Sequence, residues 1–128
     1  QYFGTFAAKM DDVVNYIPAR LAAVFMILAS AVLKKDWKHA WKIFWRDRYK
    51  HSSPNSAQTE SVMAGALDIQ LAGNAYYFGK LHKKQTMGDD IRPIEAEDII
   101  ASNQILYATA IISLIVFAAL RLLVLVLL

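Results

Sequence analysis

Residues 105–128 read ILYATAIISLIVFAALRLLVLVLL, and Arg121 is the only charged residue among them. As a helix this stretch is about 36 Å long, which is enough to cross the roughly 30 Å hydrocarbon layer of a bilayer. Of the 128 residues in the chain, 56% are hydrophobic, whereas soluble domains usually have roughly 45–50%. The sequence therefore predicts a transmembrane helix over residues 105–128 and argues against an ordinary soluble domain.

A second apolar segment lies near the start of the chain. Residues 21–33 are uncharged, but on their own they make only about 20 Å of helix. Extension back to Ile17 takes in Pro18 and Arg20, so the segment either crosses the bilayer completely or is re-entrant or kinked at Pro18. The apolar residues before it recur at the spacing of an amphipathic helix: Phe3, Phe6, Met10, Val13, Ile17 and Leu21. We therefore expect residues 1–33 to form an amphipathic helix that runs into a membrane helix.

The region between the apolar segments begins with an amphipathic pattern at residues 36–49. Aromatic residues lie on one face of the predicted helix and basic residues on the other: Trp37, Trp41, Phe44 and Trp45 against Lys38, Lys42 and Arg46. This pattern is typical of a helix in the head-group plane of a membrane, although a core helix packed on the neighbouring loop is the alternative. Basic residues close to a span favour the cytoplasmic side, so residues 34–104 are predicted to be a cytoplasmic loop region.

The rest of that region predicts helices rather than strands. A turn at residues 52–56 precedes a helix over about 57–72, Gly73 and Gly79 interrupt the chain, and Pro93 is expected in the first turn of a last helix that runs on to Leu128. The predicted fold class is all-α: a polytopic membrane protein fragment with two long apolar helices, an amphipathic interfacial helix and a helical cytoplasmic loop region. Since the chain begins at Gln1 without a signal-peptide pattern, we expect it to be the C-terminal part of a longer protein.

Composition excludes several classes of site. The chain has no cysteine, which excludes disulfides, thiolate zinc sites and cysteine nucleophiles. The net charge is +3, and the basic excess lies in residues 34–51. Next to apolar spans, such a patch is expected to contact lipid head groups, and no nucleic-acid partner is predicted.

The first polar motif is Asp11-Asp12-Val-Val-Asn15. On a helix these three polar side chains share one face because they are three and four residues apart. Carboxylate and amide oxygens suit Mg²⁺, which usually also keeps waters and binds substrate phosphates. The alternative is a solvated helix start in which Asp12 pairs with Lys9 or Arg20.

The second polar motif is Tyr-Lys50-His51-Ser-Ser53-Pro-Asn55-Ser56. Its hydroxyl and amide groups could cap the helix that follows. With Arg48 and Lys50, the free N–H groups of that helix could instead bind phosphate.

Three further side chains each have two interpretations. Glu60 is either a metal ligand or base, or a surface acid. His51 is either a general base or a surface residue, and Asp68 either pairs with a base or lines a polar pocket. His39 and His82 are predicted to be exposed.

Taken in order, four motifs resemble one family. They are D-D-x-x-N-x-I-P-A-R-L from Asp11, H-x-S-P-N-S from His51, E-x-x-M-A-G-A-L from Glu60 and L-x-G-x-x-x-Y-x-G from Leu71. Together they look like the adenosylcobinamide-phosphate synthase family (CbiB/CobD) of cobalamin biosynthesis. Two positions depart from the family pattern, Ala57 and Ala72, each where a glycine is expected.

The resemblance implies an enzyme that uses ATP to join adenosylcobyric acid to an aminoalcohol phosphate, such as aminopropanol phosphate, by an amide bond. It implies Mg²⁺ on Asp11, Asp12 and Asn15, and Glu60 or His51 as catalytic residues. The implied phosphate and substrate ligands are Arg20, Arg48, Lys50, Ser53, Asn55 and Ser56. The resemblance also implies a protein of the cell (cytoplasmic) membrane. Its further partners would be membrane lipids and other cobalamin-assembly enzymes. The rival interpretations are a non-catalytic membrane scaffold or binding subunit, and a transporter fragment.

One geometric condition follows from the predicted topology. If residues 17–33 crossed the membrane as a straight helix, Asp11 and Ser53 would lie on opposite sides, some 25–30 Å apart. A single site therefore requires a helix that is broken near Pro18.

Overall fold

The computed structural model describes residues 2–128, without the side chains of Tyr2, Phe3 and Tyr77. Our predictions for the side chains of Phe3 and Tyr77 therefore lie outside the described residues. The chain is mostly helical, as predicted. In chain order the elements are α1 (Tyr2–Val14), α2 (Tyr16–Val32), α3 (Trp37–Asp47), α4 (Ser56–Leu67), β1 (Leu71–Ala72), β2 (Ala75–Tyr77), β3 (Lys80–His82), β4 (Thr86–Met87) and α5 (Glu97–Leu127).

The first apolar segment is broken, but three residues earlier than predicted. Helices α1 and α2 meet at Asn15 and are bent by 48°. Proline has no N–H to bond the carbonyl four residues back, and its ring clashes with that carbonyl. For Pro18 that carbonyl belongs to Val14, so the helix breaks one turn before the proline itself.

Helix α4 lies at the centre of the helical packing. Eight of its residues are buried, and helices α2 and α3 both pack on it. A Cβ atom built on Gly65 would come within 2.6 Å of the Cα atom of Ala40 on α3. Two small residues therefore let the backbones of α3 and α4 approach more closely than any side chain at position 65 would permit.

Helix α5 packs on α2 through part of its length. Ile105 and Thr109 are its buried contacts near the start, and the rings of Phe25 and Phe117 meet edge to face at 5.9 Å. Within residues 4–128, α5 is long and apolar enough to cross a membrane, and the bent pair α1–α2 passes the same test if it counts as one segment. The unbroken helix predicted to the end of the chain is confirmed as far as Leu127.

Helix α3 has features of both predicted alternatives, a core helix and an interfacial helix. Ala40, Ile43 and Phe44 are buried, so this side of α3 packs on α4 as a core helix would. Trp37, Trp41 and Trp45 are about half exposed, at 44%, 48% and 51%. The helix thus contributes to the core while presenting three indole rings outward.

The region after α4 corrects three predictions. Helix α4 ends at Leu67 rather than near residue 72, because Asp68 takes a left-handed backbone conformation with φ of 56°. Two short antiparallel pairs follow, β1 with β4 and β2 with β3, although no strand was predicted. Pro93 precedes α5, whose N-cap is Ala96, and does not lie in its first turn.

The close approach of α3 and α4 makes a stability prediction. Gly65→Ala should lower the free energy of unfolding by about 1–3 kcal/mol, because the added methyl group must displace backbone atoms of α3. Thermal unfolding followed by circular dichroism in detergent measures this change. Gly4→Ala is the control, since a Cβ there meets nothing within 4 Å and alanine favours a helix interior. Equal effects of the two substitutions would contradict the packing described here.

Candidate functional site

The two polar motifs meet in space. The Ser53 hydroxyl donates to a carboxylate oxygen of Asp12 at 3.1 Å, and the Asn55 amide donates to the backbone carbonyl of Asp12 at 2.9 Å. A single site required a broken helix, and the bend at Asn15 meets this requirement. Both motifs lie at the N-terminal end of α2. The predicted proximity of these motifs is therefore confirmed.

A cavity of about 390 Å³ opens beside these contacts. Its polar lining comes from both motifs, while α2 supplies an apolar wall. The lining residues are Asp11, Asn15, Ser53, Asn55, Ser56 and Thr59, with Pro18, Ala19 and Ala22. We call it the Asp11 cavity. The Asn15 amide donates to Asp11 at 2.8 Å, which fixes one side of it.

The side chain of Asn55 does not cap helix α4, although capping was one interpretation of the second motif. Asn55 is the N-cap residue of α4, but its side chain makes no capping hydrogen bond. Ser53 and Asn55 direct their side chains to Asp12 instead. The start of α4 thus adjoins the Asp11 cavity without a side-chain cap from Asn55.

Arg20 lies at the edge of the Asp11 cavity. Its Nη1 donates to the carbonyl of Tyr16 at 2.7 Å and to the Asn55 amide oxygen at 3.4 Å. The guanidinium stacks 3.3 Å from the centre of the Tyr16 ring. Its Nη2 is buried without a hydrogen-bond partner. Asp12 therefore contacts Ser53 rather than the arginine that the alternative interpretation paired with it.

Arg48 lies away from the Asp11 cavity. Its guanidinium carbon is 4.0 Å from the ring centre of Trp45, 4.7 Å from that of Tyr49 and 5.3 Å from that of Phe44. Gln58 donates to its backbone carbonyl at 3.0 Å. Arg48 thus packs against aromatic rings and does not line the cavities described here.

The remaining predicted residues line two other cavities, which share His51, Ala72 and Lys84. One, of about 290 Å³, is lined by Tyr49, Lys50, Ser52, Lys83 and Gln85 in addition. The other, of about 410 Å³, is lined by Glu60, Leu71, Gly73, Asn74 and Ala75 in addition. We call the pair the His51 trough. Lys83 and Lys84 were not predicted as site residues, because they lie in a polar loop without a motif of its own.

His51 is oriented by the backbone of its own motif. The N–H of Ser53 donates to Nδ1 of His51 at 3.0 Å. Because Nδ1 accepts this bond, the proton of the neutral ring lies on Nε2. The Nε2–H group of neutral His51 is therefore a hydrogen-bond donor.

His39 is not exposed, contrary to the prediction. Its side chain is only 12% exposed, and its two nitrogens contact Asp68 at 2.6 Å and Asp89 at 3.1 Å. Burial favours the neutral ring, but hydrogen bonds to Asp89 and Asp68 outweigh it and raise the pKa of His39 above 6.5. Asp36 and Asp68 also lie close enough to His39 to share a metal ion, but both ring nitrogens already contact carboxylates. Both alternatives given for Asp68 are observed, since it pairs with His39 and also lines a polar cavity with Lys35 and Arg92.

Asp47 anchors the same region from inside the protein. It is fully buried and binds Arg46 at 2.7 Å, Lys50 at 2.7 Å and the N–H of Gly88 at 2.9 Å. Burial alone would raise the pKa of Asp47, but these three donors lower it to about 2. One buried carboxylate thus ties α3 to Lys50 and to the segment after β4.

Comparison with known proteins gives a consistent result. The family model described as CobD/Cbib protein matches residues 1–106. The chain is 53% identical over 114 residues to cobalamin biosynthesis protein CobD of Streptococcus sanguinis, 49% over 119 to that of Clostridium perfringens and 43% over 120 to that of Listeria monocytogenes. These alignments cover 89%, 93% and 94% of this chain but only 36%, 38% and 38% of the relatives. The chain thus spans a little over a third of their length, and no solved structure matches it. The resemblance drawn from the four motifs is confirmed.

The His39 contacts make a pH prediction. A pKa raised above 6.5 in the folded state means that the charged ring adds stability below that pH, and that this stability is lost as the pH rises through the folded-state pKa. The melting temperature should therefore fall more steeply with rising pH in this protein than in His39→Gln. His82→Gln, at an exposed strand position, is the matched control and should keep the steeper profile. Parallel profiles for the protein and His39→Gln would contradict the assignment.

Proposed function

This chain belongs to the CobD/Cbib protein family, and we propose that it works in cobalamin biosynthesis as part of an ATP-dependent acid–amine ligase. The reaction joins adenosylcobyric acid to an aminoalcohol phosphate, such as aminopropanol phosphate, and gives adenosylcobinamide phosphate. The single observation that carries the proposal is the contact of Asp12 with Ser53 and Asn55. It brings an acidic motif and a hydroxyl-rich motif to one cavity at the start of a helix.

Asp11 and Asn15 are the proposed Mg²⁺ ligands. They line the Asp11 cavity with a carboxylate and an amide oxygen, and Mg²⁺ in phosphate sites is usually held by one or two carboxylates together with substrate phosphates. Bound there, the ion would neutralise the phosphate charge of ATP. Asp12 is a positioning residue in this proposal, because its carboxylate accepts from the Ser53 hydroxyl.

The phosphate side of the site is proposed to be the start of α4. Ser53 and Ser56 line the cavity there, and the first N–H groups of a helix, with its dipole, favour an anion. Arg20 adds a buried nitrogen without a partner next to Asn55. A phosphate oxygen at that position would satisfy it.

The proposed reaction has two steps. In the first, a carboxylate oxygen of the acid attacks the γ-phosphorus of ATP, the bond to ADP breaks, and an acyl phosphate forms. In the second, the amine attacks the acyl carbon, phosphate leaves and an amide forms, so the amine must lose a proton. Glu60 is the better acceptor for that proton, since neutral His51 carries its proton on the Nε2 atom.

The proposed setting is the cytoplasmic membrane, with this chain as part of a multi-pass protein and residues 34–104 on the cytoplasmic side. Helix α5 supports it, because its outward side chains are apolar over most of its length. The exposed indoles of α3 support it too, since tryptophan favours the membrane–water interface.

The metal assignment predicts a loss of activity. Asp11→Asn, introduced into a full-length protein that carries this chain, should reduce ATP-dependent product formation about 100-fold or more, because preorganised charge at a phosphoryl-transfer site has effects of this size. Product is measured by chromatography after incubation with adenosylcobyric acid, aminopropanol phosphate, ATP and Mg²⁺. Asp90→Asn, an exposed carboxylate outside both sites, is the control and should be as active as the parent. Full activity of Asp11→Asn would overturn the metal assignment, whereas a parent protein that forms no product would favour the non-catalytic scaffold interpretation.

The position of α3 can be measured by fluorescence. All three tryptophans of the chain lie on this helix, so the intrinsic emission reports on α3 alone. In vesicles, lipids brominated near the head group should quench this emission, whereas acrylamide in the water should quench it weakly. Strong quenching by acrylamide without quenching by brominated lipid would contradict an interfacial helix.

A further inference from the structure

His39 lies at the C-terminal end of α4 with carboxylates around it. Its Nδ1 atom is 2.6 Å from Asp68 and 3.1 Å from the backbone carbonyl oxygen of Gly65. Asp36, the N-cap residue of α3, accepts a hydrogen bond from the backbone N–H of His39 at 2.9 Å. One ligand atom from each of Asp36, His39 and Asp68 lies within 4.8 Å of the other two. One imidazole and two carboxylates therefore converge between the start of α3 and the end of α4.

We propose that Asp36, His39 and Asp68 bind a divalent transition-metal ion, with Zn²⁺ as the preferred ion. An imidazole nitrogen suits Zn²⁺ better than Mg²⁺, and Zn²⁺ also accepts carboxylate oxygens. Ligand atoms around a tetrahedral zinc ion are about 3.4 Å apart, so the carboxylates must move closer by about 1–1.5 Å. The metal takes the place of the proton between Nδ1 of His39 and Asp68, because a ligating histidine must be deprotonated on the ligating nitrogen.

The other ring nitrogen of His39 has the outer partner that metal-binding histidines usually have. Its Nε2 atom contacts Asp89 at 3.1 Å, and Arg46 donates to Asp89 at 2.6 Å. The hydrogen bonds from Arg46 and His39 lower the pKa of Asp89, so this carboxylate stays charged. A carboxylate behind a ligating histidine fixes the orientation of the ring and makes the ligating nitrogen more basic. Asp89 is therefore a positioning residue of the proposed site.

The electrostatics at this end of α4 favour a cation. Asp68 is the C-cap residue of α4, and the last carbonyl groups of a helix carry partial negative charge. Asp36 and Asp68 also line a cavity of about 590 Å³, in which five carboxylates outnumber three basic side chains. One of the three, Arg92, is paired with Asp98. The cavity gives a hydrated cation access to the ligands and leaves room for the waters that complete its coordination.

The proposed metal site is separate from the Asp11 cavity. That cavity lies at the start of α4, whereas His39 contacts Asp68 at the other end. Helix α4 has 12 residues and is therefore about 18 Å long. The ligands differ as well, since only the site at the end of α4 includes an imidazole. The inference thus does not depend on the proposed ligase reaction.

Calorimetric titration of the full chain in detergent micelles, after treatment with a chelator, tests the proposal with Zn²⁺ and Mg²⁺ as probes. We expect tight binding of one Zn²⁺ per chain, and binding of Mg²⁺ at least about 100-fold weaker. Asp36→Asn and Asp68→Asn should each weaken Zn²⁺ binding about tenfold or more, because each removes a charged ligand. Asparagine can still cap α3 and adopt a left-handed conformation. Asp90→Asn, an exposed carboxylate outside the site, is the control and should bind Zn²⁺ as the parent does.

Two further variants separate the ligands from their surroundings. Asp89→Asn should weaken Zn²⁺ binding about 10–100-fold through its effect on His39, while the zinc that binds keeps one imidazole ligand. Asp11→Asn should leave the tight Zn²⁺ binding unchanged, because Asp11 lies at the other end of α4.

X-ray absorption at the zinc edge identifies the ligands directly. In the parent chain we expect nitrogen and oxygen ligands with a single imidazole, and His39→Gln should lose that imidazole. His82→Gln is the histidine control and should keep it. Should His39→Gln fail to fold, the parent spectrum and the titration of Asp68→Asn still test the site.

Four results would overturn the proposal. They are no binding of Zn²⁺ at micromolar concentration, unchanged Zn²⁺ binding in either Asp36→Asn or Asp68→Asn, a zinc ion with no imidazole or more than one, and equal affinity for Mg²⁺ and Zn²⁺. The last result would indicate a site made of oxygen ligands alone.

Discussion

The structure depends on the close approach of α3 and α4, where no side chain larger than hydrogen fits at Gly65. Because the two backbones are in contact there, the loop that leaves α3 must return over the start of α4 within a few residues. This return carries His51, Ser53 and Asn55 to one end of α4. At the other end of α4 the same contact brings His39 to Asp68. A bulkier residue at this crossing would shift both sets of polar groups together.

The bend at Asn15 is the second constraint, and it acts on the acidic motif. A straight helix would carry Asp11 and Asp12 away from α4, whereas the 48° bend lets Asp12 accept hydrogen bonds from the second motif. One of those bonds, from Ser53, uses the Asp12 carboxylate, and the other, from Asn55, uses the Asp12 backbone carbonyl. The bend therefore accommodates Pro18 and also brings two motifs that are distant in sequence together in one polar surface.

Sequence was a good guide to the features that depend on local pattern. The long apolar run predicts helix α5 because a helix satisfies its own backbone hydrogen bonds in an apolar environment. Pro18 predicted a broken helix, although the break lies one turn earlier. Features that depend on distant partners were missed or misplaced. His39 was predicted to be exposed, while its carboxylate partners lie 29 and 50 residues away in the sequence.

In the candidate site, too, features that depend on local pattern were predicted and those that depend on distant partners were not. The residue types of the acidic and hydroxyl-rich motifs were recognisable, and so was the need for them to meet. That Arg48 packs on aromatic rings was not predictable, because a guanidinium beside aromatic residues binds either rings or anions. Strands of two or three residues are too short to show alternation, so the pairing of β1 with β4, which positions Lys83 and Lys84, left no signal in the sequence.

The surroundings of the Asp11 cavity bear on the strength of its electrostatics. Pro18 and Ala22 line it and also line an apolar cavity of about 380 Å³ between α2 and α5, next to Phe25 and Phe117. Apolar side chains rather than water therefore lie behind one wall of the polar site. Interactions between charges beside such a wall are stronger than in open solvent, because the local dielectric constant is lower. A metal-bound phosphate entering this cavity would meet groups that are already oriented, and little reorganisation would be needed to stabilise it.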